Sequence, residues 1–122
     1  MAGRSKDEER EERISMEIIV DAYGPEEQAL GWYTYLSENL QFPFSARCIA
    51  KRAISPLKVG DEVKVVKMAP DEECEHDMFV MIKWKNLQFG VPLMQLEGVK
   101  VDEETQQAIE DWHYWVEQGS EL

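Results

Sequence analysis

The chain has 122 residues, 43% of them hydrophobic, so one domain with its own core is expected and a disordered acidic tail is excluded. Its formal net charge of −12 repels phosphate backbones, which argues against nucleic-acid binding, and it attracts cations and basic partners. Two cysteines, Cys48 and Cys74, are too few for a disulfide framework or a four-thiolate zinc site, and two free thiols in a reducing compartment are expected.

Residues 1–16 read as a charged arm, mobile or marginally helical and outside the core. Acidic residues alternate there with Arg4, Lys6, Arg10 and Arg13, and Glu9–Arg13 has the i,i+4 order that supports a helix. The arm has no apolar signal-peptide core, and no stretch approaches the ~20 apolar residues of a membrane span. A soluble, cytoplasmic protein with no membrane partner is therefore expected. A single domain is placed at 17–119, with a tail at 120–122.

"EIIVDAYGPEE" (17–27) opens the domain. Ile18, Ile19 and Val20 favour an extended segment. Pro25 suits the first turn of a helix, and Glu26 and Glu27 suit its positive end. Ala29, Trp32, Tyr33, Leu36 and Leu40 then mark one face of a helix over about 25–39, which Pro43 prevents from continuing.

The middle reads as β. "FSARCIAKRAI" (44–54), "SPLKVGDEVKVVKMA" (55–69, with a Gly60–Asp61 turn), "MFVMIKWK" (78–85) and "LQFGVPLMQLEGV" (87–99) are short strands at close spacing. That rhythm predicts a small barrel or a strongly bent sheet. A last helix follows, with Asp102 as N-cap and Glu103 and Glu104 in the first turn. Thr105, Ala108, Ile109, Trp112 and Val116 form its buried stripe, and Gly119 ends it.

Charge is unevenly spread. Arg47, Lys51, Arg52, Lys58, Lys64 and Lys67 against Asp61 and Glu62 leave residues 47–67 at +4, and the rest of the chain at −16. The densest acidic run is Asp71–Asp77 in "APDEECEHDMF" (69–79), where five of seven residues are carboxylates. In an extended run Asp71, Glu73, Glu75 and Asp77 share one side; in a tight loop they converge. Converging oxygens suit Ca2+, which takes six to eight of them at about 2.3–2.6 Å. The plain alternative is a solvated acidic turn. The run is not an EF-hand, because position six is His76 and position twelve is Ile82.

Asp21, Glu26 and Glu27 form a second candidate cluster, with turn and helix capping as the plain alternative. Cys74 and His76 alone do not make a soft-metal site. No nucleophile elbow, phosphate-binding glycine loop or His-Glu-x-x-His is present, so no enzyme chemistry is expected. The aromatics Trp32, Tyr33, Tyr35, Trp112, Tyr114 and Trp115 lie at helical spacing and read mostly as core.

Several stretches together, "EIIVDAYGPEEQALGWYTYLSENLQFPF", "RAISPLKVGDEVKV", "MAPDEECEHDMFVMIKW", "GVPLMQLEGV" and "QAIEDWHYWVEQG", resemble the small acidic calcium-binding proteins of cyanobacteria. The likeness runs from about residue 16 to residue 119. It implies an α+β fold: an SH3-like small β-barrel core flanked by an N-terminal and a C-terminal α-helix. It also implies a non-enzymatic protein that binds calcium outside any EF-hand and buffers the cytosolic ion, tied in filamentous forms to heterocyst differentiation. The ligand expectation is our own: Asp71, Glu73, Glu75 and Asp77 first, and Asp21, Glu26 and Glu27 second. A monomer is expected, with a protein partner or regulatory protease left open. The rival reading is an acidic interaction module of the same fold that docks a basic protein without calcium.

Overall fold

A computed structural model describes residues 7–122; residues 1–6 lie outside the described residues. Two long helices carry most of the aromatic mass. Helix α2 spans Pro25–Asn39 and helix α3 spans Glu103–Glu117. Pro25 starts α2 because its fixed φ and missing N–H cost nothing there. Asp102 caps α3 through the Thr105 N–H at 3.1 Å. Gly119, at φ +92, ends α3 in the left-handed conformation that glycine adopts without strain.

The apolar faces of these helices meet around Trp32, which is fully buried. Its ring lies 5.1 Å from Trp112 and 5.5 Å from Trp115, centroid to centroid. Edge-on and tilted contacts at this range add to burial worth about 1.5–3 kcal/mol per large apolar side chain.

Five strands form one antiparallel sheet: β1 Phe44–Cys48, β2 Glu62–Met68, β3 Phe79–Trp84, β4 Leu87–Pro92 and β5 Leu96–Val99. Their order is β4-β3-β2-β1-β5. The β3–β4 hairpin turns at Lys85 and Asn86, both with positive φ. A single turn of 3-10 helix, Leu93–Gln95, then carries the chain across to pair β5 with β1. The α+β class and the flanking helices are as expected. The closed barrel is not: β4 and β5 stand at opposite ends of the sheet order and do not pair. The alternation that suggested closure in fact buries one face, with Ala46, Val63, Val65, Val80, Ile82 and Leu96 turned into the core.

The N-terminal region departs most from expectation. Helix α1 covers Glu8–Arg13, and a wider π-helical turn continues through Ile14–Ile18. Ile14 and Ile18 are 3% and 4% exposed and belong to the core. An arm outside the core is therefore wrong for the described residues 7–16, and an extended segment is wrong for Ile18. β-propensity yields here to packing, since Ile14 and Ile18 fall on one helical face. Arg13 turns to Asp111 across the fold, not along its own helix.

Candidate functional site

The Asp71–Asp77 run is neither extended nor a closed loop. Asp71–Cys74 make one turn of 3-10 helix, in which successive side chains are rotated by about 120°. Asp71, Glu72 and Glu73 therefore fan outward, and Glu75 and His76 are exposed beyond them. Cys74 is the inward anchor: it is buried, and its sulfur accepts the Phe79 N–H at 3.4 Å. Burial raises its thiol pKa, so it is a packing group and not a thiolate ligand.

Asp77 also turns inward. It accepts the Met78 N–H at 2.8 Å and faces Arg52 at 3.7 Å. Burial raises its pKa, and those two partners only partly oppose the shift. One basic side chain of the 47–67 stretch thus serves the acidic run directly. Arg47 pairs with Glu97 at 3.2 Å and with Glu62 at 3.7 Å. The structure does not bring Asp71, Glu73, Glu75 and Asp77 together.

The second cluster behaves differently. After the π-helical turn the chain reverses at Asp21, whose φ is +58. Aspartate tolerates this left-handed conformation better than most residues. The reversal lays residues 17–22 along α2. Between them lies an open groove of about 300 Å³, lined by Glu17, Asp21, Glu27 and Glu38 together with Gly31, Thr34 and Tyr35. No lysine or arginine lines it among the described residues. Asp21 and Glu27 thus share one concavity, whereas Glu26 is exposed on the first turn of α2 outside its lining.

Glu17 and Glu38 were missed by sequence reasoning. A signal existed for Glu38. Positions 27, 31, 34 and 38 advance in steps of four, three and four, which is one helical face, distinct from the Ala29–Trp32–Leu36 stripe. Glu17 had no such signal, because its place depends on the docking of α1.

That docking rests on Asp111, which is fully buried in α3. One of its oxygens accepts Arg10 Nη1 at 2.8 Å and Arg13 Nη2 at 2.7 Å. The other accepts Arg13 Nε at 3.0 Å and the Tyr35 hydroxyl at 2.6 Å. A buried carboxylate with two guanidinium partners and a hydroxyl is fully satisfied. Burial first, and then the hydrogen bond to Asp111 and its charge, push the Tyr35 pKa up to about 12, so Tyr35 remains a donor at neutral pH.

The groove offers hard oxygen donors of the kind Ca2+ takes. Among the described residues, no three His, Cys, Asp or Glu side chains already stand close enough together to grip an ion. The donor set is therefore open, and the exposed side chains of Glu17, Asp21, Glu27 and Glu38 must swing inward to use it.

Comparison with known proteins gives a consistent picture. A family model described as calcium binding, Calci_bind_CcbP, matches residues 12–116. The crystal structure of Anabaena CcbP superposes with a TM-score of 0.88 at 41% identity, covering 100% of both chains. A calcium binding protein in its calcium-binding form superposes with a TM-score of 0.87, also at 41% identity and covering 100% of both chains. No curated protein sequence matches.

Proposed function

The chain belongs to the Calci_bind_CcbP family of calcium-binding proteins, which is not an enzyme family, and from that premise we propose that it takes up calcium in the groove between residues 17–22 and α2. The observation that carries this is that four carboxylate residues line one concavity with no lysine or arginine in its lining among the described residues. Glu17 and Asp21 would hold the ion from the N-terminal side, and Glu27 and Glu38 from α2. Bound calcium supplies charge that offsets their mutual repulsion; backbone carbonyls and water would complete so large an oxygen shell. Asp71, Glu73 and Glu75 add long-range attraction, screened within about 8–10 Å at physiological salt.

The functional role proposed is that of a cytoplasmic calcium buffer. A buffer binds with little change of shape, whereas a sensor exposes an apolar groove on binding. Here both halves of the site rest on one preformed core of Ile14, Ile18, Trp32 and Leu36, which supports the buffer. Control of free calcium during heterocyst differentiation, implied by the sequence resemblance, belongs to the same proposal.

The test is calorimetric titration of chelator-stripped protein with calcium in a millimolar magnesium background, with hydrodynamic radius followed alongside. Saturable micromolar or tighter binding at constant radius is expected. Heat without saturation would remove the calcium role, and a marked change of radius would replace the buffer by a sensor.

A second reading has its own observation. Val20 and Leu30 are exposed apolar side chains in the lining of the same groove, and Met16 and Tyr23, which flank residues 17–22 in sequence, are exposed too, Tyr23 by 87%. An acidic face with apolar neighbours suits a basic amphipathic segment of a protein partner. Binding of such a segment that is indifferent to calcium would favour this reading.

A further inference from the structure

The two walls of the groove belong to different parts of the chain. One wall is Glu17–Ala22; the other is the α2 face of Glu27, Gly31, Thr34, Tyr35 and Glu38. The groove exists only while the N-terminal segment is docked. Like charges oppose that docking, because Glu17 and Asp21 line the same concavity as Glu27 and Glu38, and among the described residues no lysine or arginine lines it.

Three features hold the wall in place. Arg10 and Arg13 reach the buried Asp111, which also receives Tyr35. Ile14 and Ile18 are inserted in the core. The Ile18 carbonyl also lies so close to α2 that a Cβ on Gly31 would meet its oxygen at 2.3 Å. Gly31 is thus the gap through which the segment lies flat on the helix.

We propose that the Arg10/Arg13–Asp111–Tyr35 clasp is the positioning device of the carboxylate groove, so that calcium uptake and docking of the N-terminal segment are coupled; this rests on the groove being the calcium site. Arg10, Arg13 and Asp111 do not line the groove. They act through Tyr35, which is bonded to Asp111 and lines it, and through the backbone of Ile18. The clasp holds Glu17 and Asp21 against repulsion in the metal-free protein. Bound calcium removes that repulsion and tightens the docking. By linkage, whatever loosens the docking weakens calcium binding by the same factor.

The experiment combines calcium titration with amide hydrogen exchange over residues 8–22, with and without calcium. The unmodified protein is compared with Arg13→Gln, Arg13→Lys, Glu17→Gln and the pair Asp21→Asn/Glu27→Gln. In the unmodified protein calcium should slow exchange of this segment. Arg13→Gln should speed it and lower calcium affinity by at least about fivefold, the low end of ordinary coupling, while exchange in α2 and α3 stays unchanged. Arg13→Lys, which keeps the charge without the forked donors, should recover part of the affinity. Without calcium, Glu17→Gln should slow exchange of the segment, a sign that simple loss of a structural contact would not give. If Arg13→Gln compromises the fold, read from near-ultraviolet dichroism of the tryptophan cluster, Gly31→Ala displaces Ile18 from the other side and takes its place. Faster exchange in Arg13→Gln at unchanged calcium affinity overturns the coupling. If Asp21→Asn/Glu27→Gln lowers affinity and Arg13→Gln does not, only the positioning role falls. If the pair leaves affinity unchanged, the groove is not the site and the coupling falls with it.

Discussion

The two acidic regions of this molecule invert the impression their sequences give. Asp71–Asp77 packs five carboxylates into seven residues, yet a 3-10 turn fans Asp71, Glu72 and Glu73 outward, and Asp77 turns in to Met78 and Arg52. Glu17, Asp21, Glu27 and Glu38 are spread over more than twenty positions, yet they line one groove. Density of charge along a chain differs from the placing of charges around one concavity. A cation needs the second, and only tertiary structure supplies it.

The comparison breaks most strongly if the wall of the groove is removed. Asp111→Ala leaves Arg10 and Arg13 without their buried partner. The expected loss is about 3–5 kcal/mol of unfolding free energy, the usual cost of stranding buried charge, measured from the denaturant midpoint at constant slope. Calcium affinity should fall with it. A loss under ~1 kcal/mol would mean that the segment is held by Ile14 and Ile18 alone.

The smallest effect lies in the other region. The pKa of Asp77 is raised by burial, so the folded state binds its proton more readily than the unfolded chain. Ionised Asp77 therefore costs stability above its folded pKa, and the cost disappears as pH falls below the unfolded value of 3.8. Asp77→Asn keeps an acceptor for the Met78 N–H and removes that cost. The expected change is neutral to stabilising at pH 7, within about 0.5 kcal/mol, and it should vanish in acid. Thermal unfolding from pH 3 to pH 7 would show it. Clear destabilisation at pH 7 would make the Arg52 contact worth more than the burial penalty.

Much of the scaffold was legible locally. Pro25, the Ala29–Trp32–Leu36–Leu40 stripe, the Asp102 cap and Gly119 define α2 and α3 through rules acting within a few residues. Alternation marked the strands, but it could not say whether β4 and β5 close a barrel, because pairing is a property of remote segments. Family membership was legible from several stretches at once. The N-terminal region was not. Arg13 and Asp111 lie 98 positions apart, and without that contact residues 7–16 look like any charged arm. Misplacing that wall hid Glu17 and directed attention to the densest run. Asp21 and Glu27, one on each wall, were in view, but Glu17 and Glu38 beside them were not.

The most direct test sets the two regions against each other. Calcium affinity is measured by calorimetry, in a magnesium background at about 0.15 M salt, for Asp21→Asn/Glu27→Gln and for Glu73→Gln/Glu75→Gln. Both pairs remove two charges, so nonspecific attraction falls equally. The groove pair should lose at least tenfold in affinity, or about 1.4 kcal/mol. The loop pair should lose no more than screening of two distant charges allows, under about threefold. Equal losses, or a larger loss from the loop pair, would contradict the assignment of the calcium site to the groove.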